Sequence, residues 1–441
     1  MNDNDRAIIG FTTISHALVH TYELSIPILM TIWLVEFPVT PATLGTVVAV
    51  GYALMGIGAL PSGILADAYG SRPVIAACLA GMGGSFLILG LAPNLVGVAV
   101  ALSLWGVAAS IYHPAGLALL SKGVTVRGRA FGYHGMGGNV GIALGPLATA
   151  LLLLAFDWQI VTTVLAIPAL VTAVYGLRRD FDETAAVTAD SDVGTTASDG
   201  GTENLPSTDG GEDGTREESS LSASSLRSDA RRLFTVAFGL VFLVVMFNGL
   251  YYRGIITFLP ELLGDFLRES GFSLSLFGGE TGPRSELDLG RYLYSGLLTV
   301  GIFGQYVGGH LIDRLPLRWT FAALLGLLSA IAVAFVPAAS LGLGPLLLAS
   351  AVLGFTLFAV QPVSQAIVAA YSPSDVRGLS YGFTYLAVFG IGALGASLSG
   401  IALTYGTATT TFLVQAGIAA MGAVVCLVLI RTQKEPADAA D

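Results

Sequence analysis

The 441 residues are 54% hydrophobic and only 11% charged, which excludes an ordinary soluble domain and points to a polytopic membrane protein. The net charge of −10 misleads, because thirteen acids and two arginines (Arg216, Arg227) fall within 180–230, leaving 17 acids and 18 bases elsewhere. No basic surface for nucleic acid follows from that balance, and Cys78 and Cys426, both inside apolar runs, imply no disulfide framework.

Taken in chain order, apolar runs long enough to cross a bilayer predict an all-α membrane protein with twelve transmembrane helices in two six-helix halves. The spans are Ile8–Leu34, Thr43–Ala66, Arg72–Leu91, Leu95–Leu120, Gly128–Leu154 and Ile160–Leu177. They continue as Leu233–Leu259, Tyr292–Ile312, Trp319–Val336, Leu343–Ala370, Gly378–Thr404 and Thr411–Ile430. The first run is too long for a cleavable signal and reads as a span. The halves occupy 1–179 and 231–434, with a short tail at 435–441. Between them, 180–230 is rich in Asp, Glu, Ser, Thr and Gly, cannot bury a core, and reads as a disordered linker. Arg72, Lys122, Arg127, Arg178, Arg231, Arg314, Arg377 and Lys434 fall on one side of the span count, which places the linker and both termini in the cytoplasm of a cell-membrane protein. One long outer loop is expected at Gly264–Leu289.

A short polar hinge separates spans two and three: Gly63, Asp67, Gly70 and Arg72 within Gly-Ile-Leu-Ala-Asp-Ala-Tyr-Gly-Ser-Arg. Gly63 would admit a neighbouring helix, Asp67 would accept from the amides of a helix N-terminus, and Gly70 would make the turn. A shortened copy recurs 246 positions later, with Gly309 and Asp313. Val126-Arg127-Gly128 and Val376-Arg377-Gly378 repeat at an offset of 250, and His113-Pro114 matches Gln361-Pro362 at 248. Duplicated halves with sites between them are a transporter architecture.

Ionisable groups inside spans are costly and are functional candidates. In helix one, His16, His20, Glu23 and Pro27 lie at spacings of four, three and four, on one face. Glu23 reads as a proton-coupling carboxylate with His16 or His20, or as a structural acid bonded within the bundle. Aligning the halves places Arg253 of helix seven opposite it, at an offset of 230. Arg253 would pair with Glu23, anchor an anionic solute group, or snorkel outward. The expected solute-contacting set adds His113, Gln361, Gln365, Tyr22, Tyr252 and Asn248, with His134 a weaker candidate. The prolines after His113 and Gln361 predict matched helix bends. Helix five carries Gly135, Gly137, Gly138, Gly141, Gly145 and Pro146, a close-packing stripe with a kink, and Gly141, Gly145 and Pro146 join the hinge set.

The Gly63-to-Arg72 hinge resembles the signature between helices two and three of major facilitator superfamily transporters. Gly141-x-x-x-Gly145-Pro146 resembles the helix-five signature of that superfamily's drug–proton antiporters. Ser15-His16, Tyr112-His113-Pro114 and Gly137-Gly138-Asn139 together resemble the fosmidomycin-resistance branch, although its helix-one Asn-Asp pair is Val19-His20 here. The resemblance implies alternating-access transport of a small organic solute, driven by a proton or sodium ion, with export by proton exchange preferred. An organic-anion or metabolite symporter is the alternative, and a transport-inactive sensor or assembly protein is the reading from another class. No phosphate loop, zinc spacing or nucleophile motif occurs, so no enzyme, cofactor or metal is expected; the partners are the solute, the coupling ion and the lipid bilayer.

Overall fold

The computed structural model describes residues 1–187, 230–271, 283–373 and 377–433, the side chains of 63, 67, 283–288 and 377–378 excepted. These residues are almost wholly helical and form no strand. The first half comprises α1 (Asp3–Glu36), α2 (Pro41–Tyr69), α3 (Ser71–Gly90), α4 (Leu95–Ala109), α5 (Tyr112–Gly123), α6 (Arg127–Leu152) and α7 (Trp158–Arg178). The second comprises α8 (Val236–Glu269), α9 (Pro283–Ile312), α10 (Leu317–Ser340), α11 (Leu343–Ala370), α12 (Arg377–Tyr385), a π-helical segment (Leu386–Ile391), α13 (Leu394–Tyr405) and α14 (Ala408–Thr432). Polar caps start several of them: the Asn2, Thr40, Asn94 and Thr407 side chains each accept an amide of the first turn.

Two of the twelve spans are broken helices. The fourth is α4 plus α5, interrupted at Ser110–Ile111, where the Pro114 ring opposes the carbonyl four residues back. At the matched position α11 is not interrupted and runs through with Pro362 inside it. The eleventh span is α12, the π segment and α13. Among the described residues, eleven stretches are long and apolar enough to cross a membrane, and α9 supplies the twelfth span.

The seventh span is longer than expected, and the predicted outer loop is shorter. Leu262, Leu263, Phe266 and Leu267 keep the helical apolar spacing beyond Leu259 and are buried, so α8 continues to Glu269 despite Glu261, Asp265 and Arg268 on its other side. Gly264–Glu269 is therefore helix, as is Pro283–Leu289 in α9, and 272–282 lies outside the described residues.

Small residues set the closest helix approaches. A Cβ on Gly137, Gly141 or Gly145 of α6 would stand 2.3, 2.1 and 2.6 Å from Thr13 O, Ala17 O and Thr21 Cα of α1. Both helices present every fourth residue, so their backbones touch along one seam. The second half does the same with α9 and α11, through Gly304 against Phe355 O and Gly308 against Ala359 O. Gly309, the expected counterpart of Gly63, has no atom within 4 Å of an added Cβ; the packing glycine is its neighbour. The halves meet where α2 lies on the π segment and α13. There a Cβ on Gly45 would fall 2.7 Å from Ala396 O, and one on Gly400 would fall 2.4 Å from Pro41 O.

At the hinge, Gly70 alone separates α2 from α3, with φ +83°, a conformation that disfavours any side chain. Arg72 Nη1 donates to Asp180 Oδ1 at 3.0 Å and to Arg179 O at 2.8 Å. The Glu183 carboxylate accepts from the first amides of α3, Ser71 at 2.7 Å and Arg72 at 3.3 Å. It is an acid at the N-terminus of α3, where negative charge is favoured; the side chain of Asp67, expected to serve such an N-terminus, lies outside the described residues. Asn4 Nδ2 donates to Asp182 O at 3.0 Å, and the Thr184 amide and hydroxyl hold the Asp182 carboxyl below its usual range. Residues 180–187, assigned to the linker by composition, are thus fastened to the hinge. The remainder of that stretch, 188–229, and the tail lie outside the described residues.

Candidate functional site

The α1–α6 seam builds the centre of the molecule. Because Gly138 has no side chain, the His16 ring lies where a Cβ would stand, 2.6 Å from that position. His134, one turn earlier on α6, stacks on His16 with ring centroids 4.0 Å apart and planes 8° apart. His16 and His20 are one turn apart on α1, and the α4–α5 break turns His113 toward them, with ring centroids 5.3 and 5.6 Å away. Four of the chain's five histidines therefore meet at one place.

A hydrogen-bond chain runs through them. His16 Nδ1 lies 2.8 Å from the His134 main-chain oxygen, which can only accept, so His16 donates from Nδ1. His20 Nδ1 lies 2.7 Å from Glu23 Oε2, and the two Nε2 atoms face each other at 3.1 Å. Three bonds need three hydrogens, and two neutral imidazoles carry two. The His16–His20–Glu23 unit is completed by one further proton, which the pair of Nε2 atoms or the Glu23 carboxyl can hold.

The second half supplies the opposing cation. Arg253 of α8 is fully buried and donates from Nη2 to Glu23 Oε1. Its guanidinium rests 3.8 Å from the Tyr52 ring centroid, with Phe389 of the π segment at 5.3 Å and Tyr252 at 5.5 Å. Tyr52 also donates its hydroxyl to Glu23 O at 3.0 Å. The acid of one half and the base of the other thus join directly in the core, and Arg253 does not snorkel. Arg253 Nε and Nη1, Asn248 Oδ1 and His113 Nε2 are buried without a hydrogen-bond partner among the described residues.

Other expected residues fall elsewhere. Tyr22 is buried, but its hydroxyl donates to Leu165 O at 2.8 Å and its ring packs edge-on against Phe86, away from Glu23. Gln361 is half-buried and Gln365 exposed, and neither bonds to the cluster. Ligating atoms of His16, His20 and His113 lie within 4.8 Å of one another. Tyr52, Tyr385 and Phe389 were not anticipated. Tyr385 stacks on His113 at 5.5 Å, so α12 touches the histidine cluster from the second half. Beyond Glu23 on α1, toward the end opposite the hinge, a pocket of about 490 Å³ is lined from both halves by Thr31, Glu36, Asp157, Trp158, Gln159 and Arg291.

Two six-helix halves clasping a buried acid–base pair define a secondary transporter rather than an enzyme. The sequence profile described as Major Facilitator Superfamily matches residues 11–282 and 241–441, and the chain belongs to that family. The fold is similar to that of a bacterial homologue of the human lysosomal transporter Spinster, inward-facing and unoccupied, with a TM-score of 0.73, 15% identity and 98% of each chain covered. It is also similar to the nucleoside transporter NupG, with a TM-score of 0.70, 12% identity, and 97% of this chain and 100% of that one covered. The puromycin resistance protein pur8 of Streptomyces alboniger is 39% identical over 103 residues, 23% of this chain. The match spans only 20% of that relative's length.

Proposed function

We propose that this transporter exports a small organic solute bearing an anionic group across the cytoplasmic membrane by alternating access, in exchange for protons. The carrying observation is Arg253: a fully buried guanidinium with one N–H group on Glu23 and its Nε and Nη1 hydrogens unmet. An unmet buried donor costs about 1–3 kcal/mol, and more when it is charged. A carboxylate or phosphonate that accepts from both recovers that cost and is held bidentately. Tyr52, Phe389 and Tyr252 around the guanidinium favour a solute with an apolar body. Glu23, with His20 and His16, takes the coupling proton. The shared hydrogen-bond chain supports a proton over sodium, because imidazole nitrogens rather than oxygens hold the extra charge. The hinge at Gly70 and Arg72 and the α1–α6 seam serve the switch between states rather than solute choice. The short likeness to a resistance protein supports efflux, as does the fosmidomycin-resistance resemblance.

One observation favours symport as a second reading. Arg253, ionised Glu23 and the shared histidine proton sum to one positive charge, which a monoanion would neutralise, so proton and solute would travel together. Proteoliposomes containing a pH dye separate the readings, using a panel of organic acids, phosphonates and antibiotics. Exchange moves protons against the solute and symport moves them with it, and Glu23→Gln abolishes either. Transport that persists without proton movement, or that is intact in both Glu23→Gln and Arg253→Ala, would overturn the proposal.

A further inference from the structure

We infer that His16, His20 and His113 form a binding site for a late first-row divalent metal ion, of the zinc, cobalt or nickel type. The first reason is how the rings are held. His16 Nδ1–H is fixed on a main-chain carbonyl at 2.8 Å and His20 Nδ1–H on the Glu23 carboxylate at 2.7 Å. These are the outer bonds that orient metal-binding histidines, a carbonyl for one and a carboxylate for the other, and both leave Nε2 as the lone-pair atom.

The second reason is the spacing. The two Nε2 atoms stand 3.1 Å apart. Tetrahedral zinc with Zn–N bonds of about 2.0–2.1 Å needs its nitrogens about 3.3 Å apart. The spacing is therefore within a few tenths of an ångström of what such an ion needs, and each ring turns to aim its Nε2 at the ion in place of the proton. The third reason is an unsatisfied ligand. His113 Nε2 is buried with no hydrogen-bond partner among the described residues, and a ligating atom of His113 lies within 4.8 Å of those of the other two. A turn of the His113 side chain completes a three-imidazole set. A fourth position then remains for water or a solute atom.

The all-nitrogen donor set discriminates among ions. Imidazole suits zinc, cobalt, nickel and copper, whereas magnesium and calcium prefer oxygen. Binding converts the shared N–H–N bond into two N–metal bonds and releases that proton to solvent, so charge and atoms balance. His113 is stacked on Tyr385 of the second half, so the bound ion is tied across the interface between halves. The site does not depend on which solute is carried.

The test is titration of full-length, tag-free protein in detergent with zinc chloride by calorimetry, and with cobalt chloride by visible absorption. The expected result is one saturable zinc site per chain, cobalt bands of tetrahedral intensity and no response to magnesium. His113→Ala and His16→Ala should each weaken zinc at least tenfold, and Glu23→Gln should weaken it through His20. His310→Ala, which removes the one histidine outside the cluster, should leave affinity unchanged. His113→Gln serves where the alanine variants are not monodisperse. No saturable zinc binding would overturn the assignment. So would affinity undiminished in both His16 and His113 variants, or lost in His310→Ala. Failure here leaves the proteoliposome result untouched, and the reverse also holds.

Discussion

Replacing either member of the Glu23–Arg253 pair should destabilise the protein, but unequally. Both side chains are buried, at 1% and 0% exposure, in a core with few other charges. Glu23→Gln leaves Arg253 and the shared histidine proton as two cations without an anion, and breaking a buried pair in this way costs about 3–5 kcal/mol. Arg253→Met is milder, because Glu23 keeps His20 at 2.7 Å, and losing one charged hydrogen bond costs about 1.5–3 kcal/mol. The double variant Glu23→Gln/Arg253→Met removes both charges. Its loss should be at least about 2 kcal/mol smaller than the sum of the single losses, a factor of about 30 in the unfolding equilibrium. Reversible unfolding in mixed micelles with increasing dodecyl sulfate, read by circular dichroism, measures all four proteins. Additivity within about 0.5 kcal/mol would refute the coupling, because contacting partners of one network do not behave as independent sites. Equal losses in the two single variants would refute the shared proton.

Two further predictions concern the scaffold. Gly141→Ala, whose new Cβ would meet Ala17 O at 2.1 Å, should cost about 1–3 kcal/mol in the same assay. Gly309→Ala, with open space around it, should be neutral or gain up to about 1 kcal/mol; the reverse order would discount the α1–α6 seam. Glu183→Ala should speed hydrogen exchange at the Ser71 and Arg72 amides, consistent with loss of about 0.5–2 kcal/mol of helix capping. Unchanged protection at Ser71 would remove residues 180–187 from the hinge.

Much of this layout was legible in the chain. Apolar runs marked most of the spans, because the bilayer demands one element type and one minimum length. The repeat brought Glu23 and Arg253 into register, and the spacing of four put His16 and His20 on one face. What stayed hidden depends on direction and tertiary contact. Tyr22 sits beside Glu23 in sequence, yet successive helical residues diverge by about 100°, so its hydroxyl serves Leu165 in its own half. Tyr52, Tyr385 and Phe389 are aromatic residues within apolar runs, and nothing local distinguishes a ring over a guanidinium from a ring in lipid. His113 carried a visible signal, the following proline, but not which helix its ring would meet. The seventh span was ended at Leu259, where packing of Leu262 and Phe266 carries the helix on.

The π segment has a consequence for motion. A π turn holds one residue more than the α turn it replaces. If Leu386–Ile391 tightens to α geometry, everything beyond it advances by one register step, rotating by about 100° and sliding by about 1.5 Å. Tyr385, against His113, lies before that extra residue, while Gly395 and Gly400, against Leu250 and Pro41, lie after it. Such a change would leave the Tyr385 end of the eleventh span engaged with His113 while the far end turned like the driven plate of a clutch.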